Sequence, residues 1–371
     1  MKKTNKKLRS GFTTGTAAAA AAKGALTAIL SPRVPKQVII SFLSGGEVCI
    51  PIHTCRMGHQ SAVCTVIKDA GDDPDITHRA EIGTRVTLMN QVPGTDENRV
   101  LIKGGKGVGR VTKPGLEIPV GEPAINSGPR QMILNAVNDV LCRFNRRARV
   151  CVEVFVPRGE ELAKKTLNAR LGILGGLSIL GTTGVERPMS HDAYIATIRS
   201  SINVAGAAGV DVLVLTTGRR SERFAQTFLN DYPEEAFIQI GDFFKLSLEE
   251  AVLQEFNSVV LAVFFGKAVK MAQGVPHTHA AKSRLLLGKL SKWVYAAVGD
   301  PDFALAIEQA NTARHAFELI VNAYPEMIAD VGNKMVHSAG QFAGDSVKVR
   351  GIIFDFQGKV AFDSGLKFKK G

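Results

Sequence analysis

The apolar positions change rhythm along the chain. Near the N-terminus, LRSGFTTGTAAAAAAKGAL sets Thr13, Thr14, Gly15 and Thr16 directly before six consecutive alanines. Alanine has the highest helix propensity, so residues 17–22 predict a helix. Thr14 or Thr16 supplies its cap, because a hydroxyl can accept a bond from an unpaired first-turn N–H. Short strand-like runs follow at 37–42, 47–53, 62–68, 84–89 and 99–103, β-branched and separated by Gly, Asp and Pro. From Pro129, the residues Met132, Ile133, Ala136, Val137, Val140, Leu141 and Phe144 recur at helical spacing. RVCVEVFV then alternates strictly, with Val150, Val152, Val154 and Val156 on one side, as in a half-buried strand.

After Pro157 the pattern becomes an alternation of elements. Residues 171–174 form a short strand before a glycine turn, and 192–208 a helix capped by Ser190. VDVLVLTTG reads as a buried strand, 221–229 as a helix, AFIQIGDF as a strand and 247–256 as a helix. SVVLAVFFG is another strand, with a helix from Lys267. Such alternation predicts a parallel sheet with helices on both faces. Ligands of these sheets sit beyond the carboxyl ends of the strands, here at Thr216, Thr217, Gly218, Gly241, Asp242 and Gly266. Two helices near 303–323 and 326–342 follow, and a hairpin, VKVRGIIFDF then KVAFD, closes the chain. The expected fold is an α+β domain over 1–160 followed by an α/β, Rossmann-like, mostly parallel domain over 161–345. The hairpin and basic tail over 346–371 could join either sheet.

Composition narrows the ligand. The 371 residues carry 46 Lys and Arg against 34 Asp and Glu, a net +12, which favours an anionic partner. Part of that charge sits in the ends, at Lys2, Lys3, Lys6, Lys7, Arg9 and residues 367–370. Aromatics make up only 6%, poor support for a base-stacking surface, so nucleic acid is not expected. The basic start and alanine run do not make a signal peptide, since alanine is barely apolar and Lys23 and Gly24 interrupt it. Nothing reaches the ~18 apolar residues of a membrane span, and a cytoplasmic chain is expected. Five cysteines without a C-x-x-C fit a reducing compartment. His53, Cys55 and His59 lack a fourth ligand, and His277 with His279 lacks a nearby carboxylate or thiol, so no protein metal site is expected.

Four segments carry chemistry. The start of the alanine helix suits a phosphate or carboxylate, or is only a capped helix packed through its alanines. VIKDAGDDPDITH puts Asp69, Asp72, Asp73 and Asp75 within seven residues, off the calcium-loop spacing. Those carboxylates can hold a cation, orient a ligand or act as a base, or they can simply build a turn. KGGKGVGRVTKPG is neither a Walker A loop nor G-x-G-x-x-G; its Arg110 and Lys113 either grip carboxylates or decorate a solvated hairpin tip. In LGILGGLSILGTTGVERPMS, Gly175, Gly176, Gly181 and Gly184 leave amides accessible while Thr182 and Thr183 offer hydroxyls, as where a nucleotide-like ligand is met, though the spacing is not the dinucleotide fingerprint.

Taken together with VGEPAIN, LVLTTGRRSERFA and FFGKAVKMAQGVPHTH, these segments resemble the CbiD family, the cobalt-precorrin-5B C1-methyltransferases of anaerobic cobalamin biosynthesis. The resemblance runs from about Leu8 to beyond Arg284. It implies methyl transfer from S-adenosylmethionine to ring carbon C1, giving cobalt-precorrin-6A, in a fold unlike that of other corrin-ring methyltransferases. Cobalt would arrive within the substrate, a polycarboxylate corrinoid to which the net positive charge is suited; no membrane partner is expected, and a homo-oligomer is left open. On this reading Gly175, Gly176, Gly181, Thr182, Thr183 and Gly184, with Thr216, Thr217 and Gly218, hold the methyl donor. Thr13, Thr14, Gly15, Thr16, His78, Arg110, Lys113 and His279 grip the substrate, and Asp69, Asp72 or Asp73 stabilises cationic charge or accepts a proton. Three positions depart from the family pattern: Ala17 where Cys is usual, Arg79 where Gly is usual and His277 where Asn is usual. Two alternatives are a small-molecule kinase using Thr-Thr-Gly-Thr as its phosphate loop, though it lacks a Gly-Leu-Gly-Ser-Ser segment, and a non-enzymatic polyanion binder.

Overall fold

The computed structural model describes residues 8–89, 99–188, 190–279, 283–344 and 346–365; the lysines of both ends lie outside the described residues. The chain forms two units, Met1–His191 and Asp192–Gly371.

The first unit contains β1 (Gly11–Phe12), α1 (Thr14–Leu30), β2 (Gln37–Ser41), β3 (Glu47–Pro51), β4 (Thr54–Gly58), β5 (Ser61–Ile67) and β6 (Glu81–Met89). It continues with β7 (Arg99–Gly104), β8 (Gly107–Val108), β9 (Arg110–Val111), α2 (Ser127–Arg143), β10 (Arg149–Phe155), α3 (Gly159–Ala163), β11 (Ile173–Leu174), β12 (Gly176–Leu177) and β13 (Val185–Glu186). Its main sheet has the order β4-β5-β6-β10-β7. All pairs are antiparallel except β10 with β7, so the sheet is mixed. The alternating valines behave as their spacing requires: Val150, Val152 and Val154 are wholly buried. They share a core with α1 and α2. Ala17–Ala22 are all 0% exposed, so the first turns of α1 are enclosed on every side rather than amphipathic.

Residues 161–191 belong to this first unit, although the element pattern places them at the head of the second. β11 pairs with β9, and β12 with β8. These strands are only two residues long, too short for side-chain periodicity to give any sign of their partners.

The second unit contains α4 (His191–Ala207), β14 (Val212–Thr216), α5 (Arg219–Phe228), β15 (Phe237–Gln239), α6 (Phe244–Leu253), β16 (Ser258–Phe264) and α7 (Phe265–Ala272). After them come α8 (Ser283–Val298), α9 (Pro301–Glu308), α10 (Ala313–Ala323), α11 (Glu326–Ala343), β17 (Lys348–Phe354) and β18 (Val360–Asp363). The sheet order is β15-β14-β16-β17-β18, parallel until β18 closes it antiparallel to β17. Numbered within the unit, this is the doubly wound order 2-1-3-4-5. Leu213, Leu215, Val259, Leu261 and Val263 face one core, shared with α4, α6, α7, α10 and α11. Val212, Val214, Val260, Ala262, Ile352 and Phe354 face another, shared with α5. Both faces are covered, which is why these strands read as continuous apolar runs.

The closing hairpin lies in this second sheet, with β17 in register beside β16 from Ser258↔Lys348 to Phe264↔Phe354. The helix expected over 303–323 is two helices. Thr312 Oγ1 accepts a bond from the His315 N–H at 3.2 Å and starts a new one there. α8 is an element that the pattern reading left unassigned. Among the described residues, no helix is long and apolar enough to cross a membrane.

Overpacking the enclosed helix should be expensive. Ala20→Leu is expected to lower stability by about 1–3 kcal/mol, read as a drop in the urea midpoint followed by far-UV circular dichroism. A midpoint equal to that of the wild type would show that α1 has slack around it.

Candidate functional site

The start of α1 and the glycine turn at 180–184 form one hydrogen-bonded knot. Thr13 Oγ1 caps the helix by accepting from the Thr16 N–H at 3.3 Å. The Gly15 N–H donates to Leu180 O, and the Thr13 N–H to Gly184 O, both at 3.0 Å. The Thr16 hydroxyl donates to Gly184 O at 2.8 Å, and the Leu180 N–H donates to Thr14 Oγ1 at 2.9 Å. Gly181 has φ +134°, and a Cβ there would lie 2.2 Å from Thr13 Oγ1, so the turn admits only glycine. The Gly15 and Thr16 amides, expected to receive an anion, are therefore spent on the chain itself. Thr13, Thr14 and Thr16 are 7%, 5% and 0% exposed. The packed-cap reading of this stretch prevails over the anion site, and the kinase alternative loses its phosphate loop. Gly184 is buried too, while Gly175, Thr182 and Thr183 stay exposed. Ala17 is wholly enclosed.

The acidic loop is clasped by the chain preceding β1. Arg9 Nη2 donates to Asp69 Oδ1 at 2.8 Å, and the Arg9 N–H to Asp72 Oδ2 at 2.7 Å. The Arg9 guanidinium pulls the Asp69 carboxyl down to about 2, so Asp69 is a poor proton acceptor near neutrality. His78 Nδ1 accepts from the Ala70 N–H at 3.1 Å and lies 3.9 Å from Asp69 Oδ1. Asp72 is exposed and Asp73 half-buried.

Sequence reading missed the ion cluster beneath this loop. Lys68 is 1% exposed; it pairs with Asp75, and its Nζ lies 3.3 Å from Glu186 Oε2. The signal was present: Ala62, Cys64, Val66 and Lys68 have one parity along β5 and its extension, and the first three are buried. A lysine on that face must bring carboxylates with it. Burial pushes Asp75 up, but Lys68 and the Thr77 hydrogen bonds overcome it and leave its carboxyl below the usual range. Burial pushes Glu186 up, and Lys68 offsets this only in part. Arg79 follows in the left-handed region, φ +61°, the conformation that glycine adopts freely. Its N–H donates to Lys68 O at 2.8 Å.

The cationic loop meets the glycine turn through the pairs Gly107↔Gly176 and Arg110↔Leu174. Gly176 is buried. The Arg110 guanidinium donates to Gly121 O, and Lys113 Nζ donates to Arg170 O at 3.4 Å. Both cations bend onto carbonyls of their own unit, with Arg110 still exposed and Lys113 half-buried.

In the second unit the chain reverses direction across the sheet between β14 and β16, so the crevice of a doubly wound sheet lies beyond their carboxyl ends. Thr216 is wholly buried, and its hydroxyl donates to Ile238 O at 3.3 Å. Thr217 and Gly218 are half-buried, and Gly218 starts α5 with no side-chain cap. Asp242, just past β15, pairs with Lys267 and accepts from the Thr278 hydroxyl at 3.0 Å. Lys270 Nζ donates to Thr278 O at 2.9 Å. Burial pushes Asp242 up, but Lys267 and Thr278 overcome it, so it stays ionised. Tyr194 stacks on Phe243 at 5.4 Å, and His277 meets the same ring edge-on at 4.8 Å. His279 is exposed, 6.4 Å from His277. A carboxylate can accept hydroxyl or ammonium protons, and an uncapped helix start can hold a carboxylate. Of the residues first assigned to one donor pocket, only Thr217 and Gly218 stand at this edge with side chain or backbone uncovered; the glycine turn belongs to the first unit.

A family model described as CbiD matches residues 1–188, and another, described as CbiD, C-terminal domain, matches residues 277–365. A cobalt-precorrin-5B C(1)-methyltransferase from Salinispora tropica is 42% identical over 95% of this chain and 91% of its own. One from Leptospira borgpetersenii serovar Hardjo-bovis is 39% identical over 99% of both chains. A solved cobalamin biosynthesis protein (cbiD) from Archaeoglobus fulgidus shares 26% identity, covering 70% of this chain and 78% of its own with a TM-score of 0.39.

The Lys68 cluster carries a pH signature. Asp75 contributes stability above the ordinary carboxyl range and loses it as pH falls; Glu186 does the reverse, losing stability as pH rises through its raised value. Without Lys68 both carboxyls behave like Glu186. Lys68→Met is expected to cost about 3 kcal/mol near neutral pH, with the deficit shrinking towards about pH 4, where both carboxyls protonate. Urea unfolding at the two pH values checks this, and equal deficits would refute it. At Arg79, the thermal midpoint should order as Gly at least equal to Arg, and Arg above Val, with Arg79→Val losing about 1 kcal/mol. A Val variant as stable as the Gly variant would show that the left-handed backbone carries no strain.

Proposed function

The chain belongs to the CbiD family, and on that footing we propose that it methylates C1 of cobalt-precorrin-5B in cobalamin biosynthesis, with S-adenosylmethionine as methyl donor. The observation that carries this reading is the near full-length match, at 42% and 39% identity, to two methyltransferases of that activity. The donor is assigned to the carboxyl edge of the parallel sheet. Its groups fit an amino-acid nucleoside: Asp242 can accept hydroxyl or ammonium protons, and the uncapped start of α5 at Gly218 can take a carboxylate. Thr217 adds a hydroxyl beside them.

When bound, the sulfonium supplies an electrophilic methyl group. The protein's task is then alignment, which can contribute about 7–11 kcal/mol. Lys267 and Thr278 hold the Asp242 carboxylate in place, so the group arrives ionised and oriented. In the first unit, Arg110, Lys113 and His78 are assigned to carboxylate arms of the corrinoid, with Thr182, Thr183 and Gly175 as exposed polar contacts. Asp72 or Asp73 is the proposed proton acceptor; Asp69 is committed to Arg9. A reducing, cytoplasmic setting belongs to the same proposal and rests on the odd cysteine count.

Incubating the pure protein with cobalt-precorrin-5B and isotopically labelled S-adenosylmethionine should add one labelled methyl by mass spectrometry. Absence of transfer would sink the assignment. Asp242→Asn should raise KM for the donor about tenfold or more, corresponding to about 1.4 kcal/mol, with a much smaller effect on KM for the corrinoid. An unchanged donor KM would remove Asp242 from the site.

A further inference from the structure

The second unit holds another cleft, between the last turn of α7 and the facing sides of α8 and α11. Its volume is about 730 Å3, within the size range of small-molecule sites. The lining residues that matter are Lys289, Lys292, Trp293, Lys334, His337 and Ser338. We propose that this cleft binds a flat polycarboxylate and, resting on the function just proposed, that carboxylate arms of the corrinoid are its occupant.

The charge is arranged for an anion. Lys289 and Lys292 stand one turn apart on α8, exposed and, among the described residues, without a carboxylate partner. Lys334 on α11 is balanced by Asp330, at 2.7 and 2.8 Å, so it neutralises the one acid that lines the cleft among the described residues. Two lysines are left in excess. His337 adds a ring nitrogen 3.2 Å from Gln341 Nε2. Trp293 forms an aromatic wall, with Lys334 Nζ 5.6 Å over its ring.

Ser338 is the second, independent observation. It is 4% exposed, and its hydroxyl has no hydrogen-bond partner among the described residues. A buried hydroxyl left unpaired is unfavourable, and this one belongs to a residue that lines the cleft. Lysines alone would suit phosphate as well. The tryptophan wall favours a ligand with a flat apolar body bearing several carboxylates.

Trp293 is the chain's single tryptophan, so its emission reports on this cleft. The full chain is titrated with benzenehexacarboxylate, a flat polyacid, and separately with inorganic phosphate. Saturable quenching by the polyacid is expected, with far weaker binding of phosphate. The double variant Lys289→Gln with Lys292→Gln should weaken polyacid binding about tenfold or more. Ser338→Ala should weaken it about threefold while leaving the thermal midpoint unchanged or raised, since the substitution removes an unpaired buried hydroxyl. In the methyl-transfer assay the double lysine variant should raise corrinoid KM by about fivefold or more, with a smaller change in kcat. No saturable change, phosphate binding as tight as the polyacid, or wild-type affinity in the double variant would overturn the polycarboxylate site. Polyacid binding lost in the variant with an unchanged corrinoid KM would overturn the corrinoid as occupant. A wild type that binds the polyacid but transfers no methyl would overturn the function and leave the anion cleft standing.

Discussion

A helix whose first turns are enclosed on every side cannot leave its first amides to water. That constraint organises the first unit. The six alanines of α1 are inaccessible, so the donors at its start must be met by protein groups. The Gly15 N–H is met by Leu180 O of the 180–184 turn, far away along the chain, and the Thr16 N–H by the Thr13 hydroxyl. The turn in turn requires Gly181, because any side chain would strike Thr13. Small residues on both sides of this knot are thus explained by close approach of backbone, with no ligand needed to account for them. The same reasoning reaches β1 and β13, whose pairing sets Glu186 within reach of the buried Lys68.

Two carboxylates, one in each unit, share a feature: burial would neutralise them, and a partner lysine keeps them ionised. Lys68 does this for Asp75 beneath the acidic loop, and Lys267 does it for Asp242 past β15. The consequences differ. The Lys68 cluster is buried under the loop and holds it in shape. Asp242 is only half-buried, at the edge where a doubly wound sheet receives ligands, and is the carboxylate better placed to meet one. Asp69 shows the opposite limit, a carboxyl so well clasped by Arg9 that its basicity is spent on structure.

The excess of cations also divides by place. Arg110 and Lys113 turn onto carbonyls of their own unit, whereas Lys289 and Lys292 stand open beside an aromatic wall and an unpaired buried hydroxyl. A net charge of +12 says only that an anion is welcome.

Much of this was legible in the sequence. The alanine run, the valine alternation of β10 and the apolar runs of β14 and β16 each announced their element, because helix and strand periods are local properties of side-chain spacing. The family, too, was readable, since its motifs are long and ordered. The parity of Lys68 was legible and passed over. What the sequence left open were the partners: that 171–184 packs into the first unit, that the closing hairpin extends the parallel sheet, that the helix start is satisfied by a distant turn, and that three helices form a lysine-rimmed cleft. These depend on backbone donors, acceptors and glycine contacts between segments far apart in the chain. Such groups are the same in every residue and carry no period of their own, so only the tertiary structure decides whom they meet.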